Sequence, residues 1–117
     1  MVRRAFPRLP AGLSRRLARA VRGLKRYHPE RIVLFGSAAR GEADGESDLD
    51  FALIKNTNAT FMERLGQVAH YFPIGVGALD VLVYTEAEYR RMLEDENPFA
   101  EAISKGRVVY EKPRRKR

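Results

Sequence analysis

The stretch that most constrains the fold of this chain lies between residues 32 and 54. An apolar run ends at Gly36 and Ser37, ten residues follow, and then Asp48 and Asp50 lead into a second apolar run. Short apolar runs bounded by turn residues predict buried strands. Because successive side chains of a strand point to opposite faces, Asp48 and Asp50 share one face. The sequence therefore predicts two carboxylates beside a turn of small residues.

A third carboxylate belongs to the same pattern. Asp80 is the one acid in an otherwise apolar strand predicted over residues 78–84, and an acid is costly to bury there unless it is paired or binds a metal. If Asp80 joins Asp48 and Asp50, the three charges repel one another and raise at least one pKa. A divalent cation relieves that repulsion, and hard oxygen ligands favour magnesium. Two such ions can clamp the attacking and leaving oxygens of an in-line displacement.

The small-residue turn supplies a complementary anion site. Glycine at position 36 lets the backbone approach a phosphate closely. A helical turn that begins at Ser37 or Ala38 would direct free amide groups toward the anion. The Ser37 hydroxyl can donate to a phosphate oxygen, while Arg40 either reaches the outer phosphates or lies in solvent. We therefore interpret the turn as a phosphate-binding element.

Two other motifs, one for phosphate and one for a metal, lack required residues. A P-loop needs Lys and Ser or Thr where this chain has Glu42 and Ala43. A calcium loop over the acidic segment needs glycine where Leu49 stands, and no Glu closes the twelve-residue pattern. The remaining alternative is a solvated acidic turn between two strands, which Ser-Asp turn chemistry allows.

The rest of the chain predicts alternating helices and strands within one domain. We expect an N-terminal arm, a single domain and a basic C-terminal tail over residues 1–12, 13–111 and 112–117. Hydrophobic periodicity and capping residues predict helices over 13–27, 60–71, 86–96 and 98–104. Apolar and β-branched runs predict strands over 31–35, 48–54, 78–84 and 107–110.

Composition narrows the class of protein. With 117 residues, 44% of them hydrophobic and 32% charged, the chain reads as one globular domain. The absence of cysteine excludes disulfides and thiolate zinc sites. No apolar span reaches the roughly 20 residues of a membrane helix, and no apolar region follows the N-terminal arginines as in a secretory signal. We therefore expect a cytoplasmic protein without a membrane partner.

The net charge of +7 is segregated along the chain. Residues 1–31 carry +9, residues 32–111 carry −7, and the last six residues carry +5. The basic residues lie in the first helix and in the tails with little aromatic interleaving, which makes nucleic acid an unfavoured partner. Two interpretations stay open for the basic helix: a solvated face, or a contact with phosphate or an acidic partner.

The motif residues resemble those of a known superfamily. The runs Leu34–Gly41 and Ser47–Phe51 are similar to the Gly-Ser and Asp-x-Asp signature of the DNA polymerase β-like nucleotidyltransferases. They resemble most closely the minimal nucleotidyltransferase (MNT) group of that superfamily. Members of this group are single small domains, and many are encoded beside a helical HEPN partner as antitoxin and toxin. The resemblance covers roughly residues 31–84.

The resemblance carries expectations for the fold and the site. It implies an α+β (α/β) nucleotidyltransferase fold, with a mixed sheet of about four strands and flanking helices. It implies a nucleoside triphosphate, with ATP as the expected substrate, and magnesium, with two ions expected. Asp48 and Asp50 would be metal ligands, and Asp80 the third acid, as a ligand or as the general base. Gly36 and Ser37 would hold the phosphates.

The resemblance also implies a reaction and a partner. We expect a magnesium-dependent transfer of AMP from ATP to a protein hydroxyl, and specifically to a tyrosine of a HEPN toxin encoded next door. The alternative is a weakly active or inactive binding module that neutralises its partner by contact. A third hypothesis is transfer to a small molecule, which requires an acceptor pocket for which a chain of 117 residues has little room.

Overall fold

The computed structural model describes residues 8–113. Helices α1 to α5 span Ala11–Leu24, Gly36–Ala39, Phe61–Ala69, Glu86–Glu94 and Pro98–Ser104. Strands β1 to β4 span Arg31–Phe35, Leu49–Ile54, Leu79–Tyr84 and Arg107–Glu111. A single 3₁₀ turn at Lys25–Tyr27 extends α1, and His28 ends it in the left-handed conformation directly before a proline. The predicted elements are therefore present in the predicted order.

The four strands form one mixed sheet in the order β3-β2-β1-β4. Strand β1 is antiparallel to β2 and to β4, whereas β2 and β3 are parallel. A parallel pair needs a crossover connection, and α3 lies in that crossover. The predicted fold class, a mixed sheet with flanking helices, is confirmed.

Helices cover both faces of the sheet. On one face, alternate residues of β2 such as Leu49, Phe51 and Leu53 are fully buried in the main core with α1 and α3. On the opposite face, Val33 of β1 and Ala52 of β2 pack against Ile103 of α5 in a smaller cluster. Strand β1 is thus buried on both faces, as its continuous apolar run predicts.

Several boundaries differ from the expectations by one or two residues. Helix α1 begins at Ala11 with Pro10 as its N-cap, and Ser14 N donates to Pro10 O at 2.8 Å, so residues 11 and 12 are helical rather than part of the arm. The helical turn after β1 begins at Gly36, earlier than predicted. Strand β2 begins at Leu49, which leaves Asp48 in the preceding loop. Residues 1–7 of the arm and 114–117 of the tail lie outside the described residues.

Within residues 8–113, no helix is long and apolar enough to cross a membrane.

Arg64 of α3 joins three elements at the end of the sheet remote from the Gly-Ser turn. Its guanidinium, 4% exposed, donates to both carboxylate oxygens of Glu88 at 2.7 and 3.0 Å. It also donates to the carbonyls of Ala59 at 2.9 Å and Val83 at 3.1 Å. Glu88 in turn completes the capping box of α4 with Thr85. The network therefore ties α3 and α4 to β3.

Replacing Arg64 by alanine should lower the free energy of unfolding by about 3 kcal/mol, because the substitution removes the ion pair with Glu88 and the hydrogen bonds to the Ala59 and Val83 carbonyls. Chemical denaturation measures this loss. The matched control is Arg90→Ala on the exposed side of α4, which should stay within about 0.5 kcal/mol of the wild type. Equal effects of the two substitutions would contradict the prediction.

The same contact gives a pH dependence. Hydrogen bonds from Arg64 hold the pKa of Glu88 below its usual value. A carboxyl whose pKa is lowered by folding stabilises the folded state above its unfolded pKa, and that contribution is lost as the pH falls through the folded pKa. The stability difference between the wild type and Arg64→Ala should therefore shrink when denaturation is repeated at progressively lower pH.

Candidate active site

Asp50 and Asp80 form the centre of the candidate site. The two residues are partners in the register of the parallel strands β2 and β3, and Phe35 of β1 pairs with Asp50 on its other side. Side chains in one cross-strand row project from the same face of a sheet. The next row along that face is apolar and consists of Val33, Ala52 and Leu82. The structure thus places two of the predicted carboxylates side by side at the edge of an apolar cluster.

The environment of Asp50 is electrostatically unfavourable for a carboxylate. Asp50 is half-buried, whereas Asp48 and Asp80 are exposed. Burial raises the pKa of Asp50, and the neighbouring Asp80, followed by Asp48, raises it further, while Arg40 opposes the rise. Both other predicted acids therefore lie close enough to Asp50 to act on its carboxyl group.

The Gly36 turn lies directly against Asp50. Gly36 has a φ of +75°, and a Cβ at this position would collide with Asp50 Oδ2 and lie 3.2 Å from Asp50 Cγ. Helix α2 is a single turn, closed by the bonds from Arg40 N to Gly36 O at 3.2 Å and from Glu42 N to Ser37 O at 3.0 Å. The first amides of a helical turn have no acceptor within it. The turn and the acids thus share one site.

Arg40, at the C-terminal end of this turn, is exposed. Its Nη2 lies 3.1 Å from Glu42 Oε1 in an exposed ion pair, and such pairs contribute little stability. A cleft of about 350 Å³ opens beside Gly36 and Arg40, and α5 supplies Glu101 and the adjacent Lys105 to its wall. Arg40 is therefore able to exchange its surface partner for an anion without a large loss of stability.

The facing pair of carboxylates fits a divalent cation. Magnesium is usually held by one or two protein carboxylates together with substrate phosphates and water, and Asp50 and Asp80 provide such a pair beside the turn. Among residues 8–113, no group of three or more His, Asp or Glu side chains is arranged to hold a metal ion. In the described part of the chain the three acids are thus not arranged as one metal-binding group, and the role of Asp48, in the loop before β2, as a ligand stays a prediction.

The role of Arg16 is not evident from the sequence, which leaves open a solvated face or a contact with phosphate or an acidic partner for the basic residues of the first helix. The Arg16 guanidinium instead donates to backbone carbonyls of the two loops that precede β2 and β3. The available signal was its position: Arg16 lies three residues after buried Leu13 and four before buried Ala20, at the edge of the inward stripe of α1. Tyr84, the last residue of β3, stacks on Phe61 and belongs to the packing of the sheet.

Comparison with known proteins identifies the same architecture. The family model described as "Polymerase beta, Nucleotidyltransferase" matches residues 21–115. A crystal structure from Sulfolobus solfataricus, of a protein assigned as a nucleotidyltransferase, superimposes with a TM-score of 0.65 at 19% sequence identity. The match covers 86% of this chain and 85% of that one. No curated protein is significantly similar in sequence.

Replacing Asp50 by asparagine should stabilise the fold at neutral pH by roughly 0.5–1 kcal/mol, because it removes a carboxylate that is repelled by its neighbours. An acid whose pKa is raised by folding destabilises the folded state when ionised, so the gain should disappear as the pH falls through the pKa of Asp50. Denaturation at several pH values measures this. Glu46→Gln, in the exposed acidic loop, is the control, and an equal gain there would contradict the prediction.

Replacing Gly36 by alanine should destabilise the protein by roughly 1–3 kcal/mol, because the left-handed φ disfavours a side chain and the new Cβ meets the Asp50 carboxylate. Gly45 provides a matched control in the following loop, since a Cβ there has nothing within 4 Å. Gly45→Ala should leave the stability unchanged or raise it by up to about 1 kcal/mol. Thermal denaturation of both variants distinguishes the two positions.

Proposed function

The chain belongs to the polymerase beta nucleotidyltransferase family, and we propose that it transfers AMP from ATP, with magnesium, to a hydroxyl of a partner protein. One observation carries the proposal: Asp50 and Asp80 face each other in register beside the Gly36 turn. The proposal is supported by this pair of carboxylates, which can bind a divalent cation, beside a turn whose amides can bind phosphate.

The residues of the site divide into two groups by role. Asp50 would hold the magnesium ion together with Asp48, and Asp80 would act as a further ligand or as the general base. When bound, the ion neutralises charge on the phosphates and on the leaving group. The amides of the α2 turn and the Ser37 hydroxyl would orient the triphosphate, and Arg40 would bind its outer phosphates. The arrangement supplies positioning and electrostatic stabilisation, which are the main requirements of phosphate chemistry.

The proposed transfer is an in-line displacement at the α-phosphorus of ATP. Asp80 accepts the proton of the acceptor hydroxyl, whose oxygen forms a bond to the α-phosphorus of ATP. The bond from the α-phosphorus to the bridging oxygen breaks in line, and pyrophosphate leaves with both electrons of that bond. Asp80 suits this role because it is exposed, whereas Asp50 is half-buried between β1 and β3.

The acceptor is inferred from the openness of the site. Asp80 lies on β3, an edge strand of the described sheet, so that a hydroxyl on a large molecule can approach it from solvent. The resemblance to MNT proteins supports a tyrosine of a HEPN toxin encoded next door as that acceptor. In this proposal AMPylation silences the toxin, and the chain acts as an antitoxin.

One observation favours a second candidate function. The three acids are not arranged as one metal-binding group among the described residues, and a protein with weak or no transfer activity could still neutralise the toxin by contact. The presence of all three acids favours the enzyme. The two candidates differ in whether the toxin is covalently modified.

The deciding experiment uses ATP labelled on either the α- or the γ-phosphate, with magnesium and the HEPN-type product of the neighbouring gene. We expect α label on the partner and no γ label. Asp50→Asn and Asp80→Asn should reduce the labelling by about 100-fold or more, and Glu46→Gln should retain it. Mass spectrometry then identifies the modified residue.

Two outcomes would contradict the proposal. Transfer of the γ label would indicate a phosphoryl transferase rather than a nucleotidyltransferase. Full neutralisation of the toxin by Asp50→Asn, with no label transferred by the wild type, would support the contact-only module.

A further inference from the structure

Arg16 of α1 bridges two loops that are far apart in sequence. Its Nε donates to Val76 O at 2.6 Å. Its Nη1 donates to Gly45 O at 2.9 Å and to Ser47 O at 2.8 Å. One guanidinium is therefore bonded to three backbone carbonyls, two in the loop before β2 and one in the loop before β3.

These carbonyls lie next to the carboxylates of the site. Ser47 directly precedes Asp48, and Val76 stands four residues before Asp80. The two loops also meet through the bond from Leu49 N to Ala78 O at 3.2 Å, where the parallel pairing of β2 and β3 begins. The Arg16 guanidinium thus lies at the junction of the segments that carry the acids.

The backbone makes room for this contact. Gly77 has a φ of +79°, and a Cβ there would lie 2.8 Å from Arg16 Nη2 and 3.1 Å from its Cζ. The Nη2 atom itself is buried without a hydrogen-bond partner among the described residues. A buried donor left unsatisfied costs free energy, which indicates that the contact is not optimised for stability alone.

Arg19, one turn further along α1, makes a different kind of contact. Its Nη2 donates to Ile74 O at 2.8 Å in an exposed bond to the loop before β3 alone. Arg22, a further turn on, is exposed. Along one side of the helix, Arg16 therefore bonds to two loops, Arg19 bonds to one loop, and Arg22 is exposed.

We propose that Arg16 is a positioning residue that fixes Asp48 and Asp80 relative to each other across the candidate site. The inference rests on the proposed function, because it concerns the geometry in which the metal and the nucleotide are bound. The planar guanidinium matches three acceptors at once, and a lysine ammonium at the same position has no equivalent fork. Small displacements of reacting or ligating groups have large effects on such sites.

The first test measures metal binding rather than turnover. Mn²⁺ binding to the full chain is followed by electron paramagnetic resonance, with the non-cleavable analogue α,β-methylene-ATP present. We expect Arg16→Lys and Arg16→Gln to weaken Mn²⁺ binding about 10- to 100-fold, as is typical when residues that support metal ligands are changed. Arg22→Gln should bind as the wild type does, and Arg19→Gln should show a smaller loss than either Arg16 variant.

A destabilised variant outside the site separates positioning from general loss of stability. Arg64→Ala removes contacts to α4 and to the end of β3 away from Asp80, and it should retain wild-type Mn²⁺ affinity at a temperature where it is folded. If Arg64→Ala weakens binding as much as Arg16→Lys, or if the Arg16 variants bind as the wild type does, the proposal is overturned.

Amide hydrogen exchange tests the bridge without any metal. Arg16→Lys should accelerate exchange about tenfold or more in both loops, 44–47 and 74–78, since each loses a bond to the guanidinium. Arg19→Gln should accelerate exchange in the second loop alone. Unchanged exchange in Arg16→Lys overturns the positioning role whatever the metal result. If exchange is accelerated in Arg16→Lys but the wild type does not bind Mn²⁺, the positioning contact is supported and the proposed function is overturned.

Discussion

The candidate site depends on the placement of two carboxylates in one cross-strand row. Parallel pairing of β2 with β3 brings Asp50 against Asp80, and the next row on the same face is apolar. Repulsion and burial both act on Asp50, so the folded chain holds a local excess of negative charge that a cation can neutralise. The Gly36 turn contributes backbone dipoles at the same place. Repelling carboxylates beside the Gly36 turn do not stabilise a domain, but they can bind a cation together with an anion.

The stabilising contacts lie away from the acids. The Arg64–Glu88 network closes the opposite end of β3, and both faces of β1 and β2 are filled by helices. The loops before β2 and β3 lead into the segments that carry the acids, and Arg16 joins these loops. The molecule thus combines a rigid sheet with an acidic end whose geometry depends on a single guanidinium, a division common in proteins that keep unfavourable charge for function.

Much of this arrangement could be predicted from local sequence, and the rest depends on tertiary contacts. The apolar run of β1 and the Thr85 cap of α4 act within a few residues, so periodicity and capping identify them. Asp80 is the lone acid in the apolar run of β3, and the cost of burying an unpaired acid predicted that it joins the Asp-x-Asp motif. In contrast, Asp48 lies outside β2 because the register with β3 fixes where pairing begins. The bonds of Arg16 connect residues up to 60 positions apart, and no local pattern records their partners.

The acceptors of Arg16 have an evolutionary consequence. All three are main-chain oxygens, and every residue carries one, so the side chains of the two loops can diverge while the bridge persists. Only the guanidinium and the glycine that accommodates it are restricted in identity. The rim of the site is therefore open to adaptation toward new acceptor surfaces, and the spacing of its acids can be inherited unchanged through that divergence.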